Sequence, residues 1–309
     1  MEIKTLSYKT KNRKEELLMD LYMPPHDWRD GRRLPVLIHL HSGEFKSGSR
    51  FNRLLEYYCS HFAGKGFAVF SIDYRLTLQT AEVNLPNILK AVTFGIEDLM
   101  SATSRICGMA EEYGLDTDKI LVSGSGAGAM IALSAEYQLC NRKTIPPVKG
   151  LNYAGIISSA GAVITDADHL EWKRKPCPIL LLHGTYDQVI SFNKFFVPGM
   201  LWAGSNYIHD ELLKLDAPHW LYEEQGTDHI MAMKPLQRQI HEMETFVEKF
   251  VMEGKHSIAH TVWRDETPDK LEDIRDVVPM FLEGWKTPED IDSIVKDYVE
   301  ISQTETAGQ

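Results

Sequence analysis

The sequence predicts an α/β fold, a mostly parallel central sheet with helices on both faces, and three observations carry that prediction. Short apolar runs recur along the chain, among them Val36 to Leu40, Phe67 to Ile72 and Pro178 to His183, which is the form strands take when both faces are buried. Between them lie stretches with apolar residues at helical spacing, notably Phe51 to Lys65 and Ile88 to Tyr113. The chain has 309 residues, of which 43% are hydrophobic and 25% charged. Such a chain can bury one large α/β core or two smaller ones.

Taken in order, Glu2 to Tyr8 and Glu16 to Tyr22 alternate well enough to be two strands joined by the polar turn Lys9 to Lys14. Met23-Pro24-Pro25 ends the second, and a charged, proline-bearing tether leads to the strand at Val36. The helix from Phe51 places Leu54, Leu55, Tyr58 and Phe62 on one side and stops at Gly66, before the strand that ends at Ile72. The long helix from Ile88 carries a buried stripe of Leu89, Val92, Ile96, Leu99 and Met100. Next come a strand at Ile120-Leu121-Val122, a glycine-rich turn and a small-residue helix from Ala129. Gly155 to Ser159, Pro178 to His183 and Ala217 to Tyr222 read as further strands, and Leu236 to Val251 as a helix. Strands alternating with helices imply parallel pairing.

The domain reading is one body over residues 1–254 and an acidic extension over 255–309. Thr267-Pro268 and Thr287-Pro288 each resemble a helix cap followed by proline at the first helical position, so the extension is expected to be helical. It holds thirteen acidic and six basic residues, a net of −7 against −11 for the whole chain. A lid, an oligomer contact and a solvated appendage all remain open for it, as does the oligomeric state.

The net charge of −11 argues against nucleic acid or an anionic membrane as partner. Cys59, Cys107, Cys140 and Cys177 are widely spaced with no C-x-x-C pair, which points to buried reduced thiols rather than a metal or redox site. No apolar run approaches ~18 residues, so no membrane-spanning helix is expected. The first residues contain no apolar signal-peptide core, and a cytoplasmic location is the corresponding expectation.

The stretch with the most chemistry in it is Lys119-Ile-Leu-Val-Ser-Gly-Ser-Gly-Ala-Gly-Ala129. A strand, a glycine-rich turn and a helix form the setting of the nucleophile elbow G-x-S-x-G. Here the frame is Gly124-Ser125-Gly126-Ala127-Gly128, with Gly126 in the place of the serine. The other frame makes Ser125 the nucleophile but puts Ser123 and Ala127 where the glycines belong. On its own the cluster is equally a tight turn that binds phosphate or nothing.

Five further motifs resemble esterases of the hormone-sensitive-lipase and feruloyl/acetyl-xylan esterase type, within the α/β-hydrolases. Asp116-Thr117-Asp118-Lys119-Ile120 is similar to the D-P-D-R-I run leading into the elbow strand, and counting from it reaches Gly126. His41-Ser42-Gly43-Glu44-Phe45 resembles the HGGGF oxyanion loop, with two of the three glycines replaced. Ile72-Asp73-Tyr74-Arg75-Leu76 resembles the I-D-Y-R-L strand end, whose role in those families is structural. His183-Gly184-Thr185-Tyr186-Asp187 resembles the loop of the triad acid, and Gly226-Thr227-Asp228-His229 the loop of the histidine. The order elbow, acid, histidine is that of α/β-hydrolases.

The resemblance covers approximately residues 15–252 and implies Asp187 and His229 as catalytic residues with Gly126 in a nucleophile slot that lacks its hydroxyl. It implies Ser42, Gly43 and Ala127 as backbone donors to an oxyanion, and Glu44 is expected to point away from it. No metal or organic cofactor is implied. The expected partner is a small-molecule ester or acylated sugar. Phe192, Phe195, Phe196, Trp202 and Tyr207, between acid and histidine, either wall an apolar pocket or simply pack the core. The implied reaction is carboxylic ester hydrolysis, disarmed at Gly126; the alternatives are a non-catalytic ligand-binding relative, water activated by Asp187 and His229, or a peptidase of the same fold. A serine removed on purpose would leave the same sequence.

Overall fold

The computed structural model describes residues 2–9, 16–25, 31–142, 150–197 and 200–268. Its central feature is a nine-stranded sheet. In chain order the strands of that sheet are β1 (Glu2–Lys9), β2 (Glu16–Met23), β3 (Leu34–Leu40), β4 (Ala68–Ile72), β5 (Leu115–Ser125), β6 (Gly155–Ser159), β8 (Ile179–Gly184), β11 (His219–Gln225) and β12 (Ile258–Arg264). In space they run β1-β2-β4-β3-β5-β6-β8-β11-β12. Only the β1–β2 and β2–β4 pairs are antiparallel; every other neighbouring pair is parallel. A second, three-stranded sheet pairs β7 (Ala162–Thr165), β10 (Met200–Gly204) and β9 (Lys194–Val197) antiparallel.

Alternation along the buried strands builds two cores. On β3, Val36, Ile38 and Leu40 join one cluster with residues of α2 (Leu85–Gly108) and α4 (Ala127–Cys140). Leu37, between them, faces the other cluster with Leu54, Leu55, Tyr58 and Phe62 of α1 (Arg53–Gly64). Strands sandwiched this way have to be apolar at every position, which is why they read as runs rather than alternations. Asn52 caps α1 by accepting from the Leu55 N–H at 2.8 Å, and Asn84 caps α2 through Asn87 N–H at 3.1 Å.

Several elements differ from the sequence expectation. The helix expected to run unbroken to Tyr113 ends at Gly108, and the short α3 (Ala110–Tyr113) follows, closed by left-handed Gly114. The helix expected over Leu236 to Val251 is three pieces, α6 (Pro235–Arg238), α7 (Ile240–Phe246) and a π-helical turn, Val247–Met252. The aromatic segment between acid and histidine becomes β9, β10 and α5 (Ser205–Lys214). Phe192 and Trp202 are buried, whereas Phe195, stacked on Trp202, and Phe196 are exposed.

The extension expected to be helical from 255 begins as a strand. β12 pairs with β11 in parallel register from His219↔Ile258 to Gln225↔Arg264. Side chains reinforce the pairing: Trp220 Nε1 donates to Thr261 Oγ1 at 3.0 Å and Arg264 Nε to Gln225 Oε1 at 2.7 Å. β-branched Ile258, Thr261 and Val262 suit this edge, and the body therefore reaches at least to Arg264. The helices expected beyond Pro268 lie outside the described residues. Among those described, no helix is long and apolar enough to cross a membrane.

Since β12 covers the edge of β11, a chain ending at Gly254 should melt below one ending at Pro268. With ~1 kcal/mol per hydrogen bond and roughly 2–4 °C per kcal/mol, the expected drop is about 5 °C or more by circular dichroism. Equal melting points would show that β12 adds nothing to stability.

Candidate active site

The parallel strands deliver every candidate residue to one edge of the sheet. The chain passes from β3 out to β4 and then returns across β3 to β5, so the loops after β3 and β5 diverge at a topological switch point. Crevices at the carboxyl ends of strands form there. The loop after β3 carries Ser42 and Gly43, the bend after β5 carries Gly126, the loop after β8 carries Asp187, and the loop after β11 carries His229.

The bend is tight because its glycines allow it. A Cβ on Gly124 would lie 2.4 Å from the Gly128 backbone, and one on Gly128 would lie 2.2 Å from the Leu40 carbonyl oxygen. These contacts let the first turn of α4 fold back on β5 and rest against the end of β3. Gly126 between them has φ 50° and ψ −113°, a conformation outside the regular regions that is costly for a side-chain-bearing residue. A Cβ built on Gly126 would sit 3.4 Å from His229 Nε2 and 2.6 Å from Ser42 Oγ. By contrast the Ser125 hydroxyl is buried without a hydrogen-bond partner. Position 126 is thus the one whose Cβ direction faces His229.

Asp187 and His229 are brought together. His229 Nδ1–H donates to Asp187 Oδ2 at 2.7 Å, which leaves Nε2 directed at the Gly126 bend. Asp187 Oδ1 accepts the N–H groups of Val189 and Ile190 at 2.9 and 2.8 Å. His183 is a further contributor: its Nε2–H is shared between Asp187 Oδ2 at 3.1 Å and the Ile190 carbonyl at 2.9 Å. Its Nδ1 in turn accepts from the Ser205 hydroxyl at 2.7 Å, which sets the tautomer. The acid and histidine loops touch at Gly184, where a Cβ would meet the Thr227 carbonyl oxygen at 2.1 Å. Asp228 caps the short 3-10 turn His229–Ala232 by accepting from Ile230 N–H at 2.9 Å.

Charge within the pair is strongly polarised. Burial alone would raise the Asp187 pKa, but the His229 charge and the hydrogen bonds from both imidazoles outweigh it and hold the carboxyl well below the usual range. Burial pulls His229 down, and the Asp187 charge and hydrogen bond more than reverse this, so its pKa lies above the ordinary imidazole value. Glu44 adds to that rise. The Glu44 carboxylate itself pairs with Lys46 Nζ at 3.1 Å. Glu44 and Phe45 have φ 54° and 60°, a left-handed turn closed by the Lys46 and Ser47 N–H groups, each donating to the Gly43 carbonyl at 2.9 Å.

The loop after β3 is braced from beneath. Tyr74 donates its hydroxyl to the His41 carbonyl at 2.8 Å and stacks on the His41 ring at 4.3 Å. His41 Nδ1 bonds the Ser42 carbonyl at 2.5 Å. Asp73 and Arg75, from the same I-D-Y-R-L stretch, bind Arg50 and Asp98 respectively, so that motif acts as a brace. Ala127 opens α4, and the N–H groups of a first helical turn have no partner within the helix. Gly43, with φ 123°, lies on the coiled loop opposite. Ser42, through its Oγ, and Ala127, next in the chain, thus flank the bend.

Residues that sequence reasoning missed here are Ser205, the orienting role of His183, and Tyr74 as a brace for the His41 loop. Only His183 and Tyr74 had any signal, as members of quoted motifs. Of the aromatic segment, Phe192 packs edge-on against His183 at 5.6 Å, while Lys194, Phe195, Phe196 and Leu201 border, with Asp168, an open cavity of about 420 Å³. Among the described residues, no group of three or more His, Cys, Asp or Glu side chains is gathered to hold a metal ion. All four cysteines are free, Cys59 and Cys140 buried and Cys107 and Cys177 half-buried.

Comparison with known proteins agrees with the fold. Residues 19–147 match the BD-FAE family model. The apo form of Thermogutta terrifontis esterase 2 is 19% identical, with a TM-score of 0.59 over 81% of this chain and 94% of that one. The same esterase phosphorylated by paraoxon is 20% identical, with a TM-score of 0.56 over 80% and 94%. Its butyrate-bound form is 19% identical, with a TM-score of 0.56 over 79% and 93%. No curated protein matches the sequence. The fold is that of the α/β-hydrolases, and the likeness is to esterases.

The polarised pair has a direct signature. In an NMR titration the His229 ring should have a midpoint above the ordinary value of about 6.5. In Asp187→Asn that midpoint should fall, because the main influence opposing burial is then removed. A midpoint indifferent to the substitution would contradict the coupling.

Proposed function

We propose that this protein is a carboxylic-ester hydrolase acting on small-molecule esters, acylated sugars among them, through an Asp187–His229 pair whose usual partner hydroxyl is missing at position 126. The observation that carries this reading is the aim of His229 Nε2, 3.4 Å from the Cβ position on the Gly126 bend, with Asp187 fixed behind its Nδ1. In such a pair the aspartate orients the imidazole and stabilises its protonated form. Backbone N–H groups of Ser42, Gly43 and Ala127 are the donors proposed for the oxyanion, whose stabilisation is often the largest single contribution to acyl transfer.

Gly126 itself cannot form an acyl-enzyme. Removing the serine from a working triad lowers turnover on the order of 10⁶-fold. That observation also favours a second reading, in which the site binds esters and does not cleave them. In Gly126→Ser the new Cβ would lie 2.6 Å from Ser42 Oγ, so that hydroxyl has to rotate aside or be removed. The informative variant is therefore Gly126→Ser combined with Ser42→Gly.

Hydrolysis of p-nitrophenyl acetate and butyrate tests the reading. The chain as it stands should turn over slowly, lose about 100-fold or more in His229→Ala, and rise with pH through the His229 midpoint, since the neutral imidazole is the base. The double variant should gain about 1000-fold or more. Ester binding without turnover until the double variant is made would select the second reading. Inactivity in both chains, with no ester binding, would overturn the first.

A further inference from the structure

The hydroxyl absent from the elbow has a neighbour in its place. Ser42 Oγ lies 2.6 Å from the Cβ position of residue 126, and that position is itself 3.4 Å from His229 Nε2. The Ser42 side chain therefore occupies space that a serine at 126 would fill. Resting on the esterase reading above, we propose that Ser42 supplies the attacking oxygen, so that the nucleophile has moved from the elbow to the loop opposite it.

Three features of the fold support that role. Ser42 is held on both sides: its carbonyl is bound by His41 Nδ1, and a Cβ on Gly48 would come within 2.4 Å of the same oxygen. The His41 carbonyl just before it is fixed by Tyr74 and packed against Gly128. Ser42 is also only half-buried, whereas the competing hydroxyls of Ser125 and Ser159 are buried and unpartnered. Finally, a Cβ at 126 would press on the Ser42 hydroxyl in the position it holds here, and it is the glycine at 126 that leaves that position open. A nucleophilic serine whose own N–H also faces the oxyanion is an arrangement that working hydrolases use, so Ser42 can serve in both capacities.

The chemistry balances without a co-reactant other than water. Ser42 Oγ attacks the ester carbonyl carbon while its proton passes to His229 Nε2, and the carbonyl π pair moves onto the oxygen. Collapse of this intermediate breaks the bond to the alcohol oxygen, which takes the proton from His229. Water then attacks the Ser42 ester, gives its proton to His229, and releases the carboxylic acid as the proton returns to Ser42 Oγ.

A fluorophosphonate probe followed by peptide mass spectrometry tests this on the full chain. The expected adduct is on Ser42; it disappears in Ser42→Ala and in His229→Ala and persists in Ser125→Ala. Hydrolysis of p-nitrophenyl acetate should fall about 100-fold or more in Ser42→Ala, with a melting point close to that of the parent to exclude misfolding. Ser42→Cys should accumulate an acyl-thioester visible as a mass increase on that peptide. Labelling at Ser125, or His229-dependent hydrolysis that survives in Ser42→Ala, would overturn the role of Ser42 while leaving the esterase reading intact. Absence of both labelling and hydrolysis in the parent chain and in the Gly126→Ser, Ser42→Gly variant would overturn both.

Discussion

The close approach of β5, α4 and the end of β3 is the constraint on which the site depends. A chain turning from a strand into a helix within one residue has to place α4 backbone almost in contact with two neighbours, and Gly124 and Gly128 are the residues that permit it. The bend so formed pushes residue 126 out of the sheet at φ 50° toward His229. Loops from β8 and β11 meet it from the other side, drawn together at Gly184. Backbone contacts, more than side-chain packing, thus set the distance between position 126 and the imidazole.

That scaffold explains why the acid and base can be so strongly coupled. Asp187 is buried but not isolated, because two amide N–H groups and two imidazoles satisfy its oxygens. A buried carboxylate with fewer partners would take up a proton instead. His183 and Ser205 extend the network inward and fix the acid from behind, so His229 is left with one free edge facing the bend. An arrangement this well supplied with hydrogen bonds around an elbow without a hydroxyl is what directs attention to Ser42.

Much of this was legible in the sequence because the strands are buried on both faces and therefore uninterrupted, and because the loops after them carry residues of distinctive type. Gly126, Asp187 and His229 fell at the ends of β5, β8 and β11 as their motifs required. What was not legible has physical causes. Strands β7, β9 and β10 are short, and Phe195 and Phe196 look like core residues in a list but lie at the surface. β12 is an edge strand with exposed alternating residues, which a capping signal at Thr267 overshadowed. Ser205 sits at the start of α5 and reaches His183 only through tertiary contact. Ser42 was read as a backbone donor, since nothing in a linear sequence reveals that its hydroxyl lies beside the Gly126 bend.

The central claim is that a side chain at 126 points at a His229 imidazole poised by Asp187. The most direct measurement is the alkylation rate against pH of a thiol placed there, in Gly126→Cys combined with Ser42→Gly to make room. Burial pushes the thiol pKa values of Cys59, Cys107, Cys140 and Cys177 upward, so these should stay silent at low pH. The geometry predicts a thiolate–imidazolium pair with an alkylation midpoint below about pH 7, returning to roughly 8.5 in His229→Ala. A midpoint near 8.5 with His229 in place would contradict it.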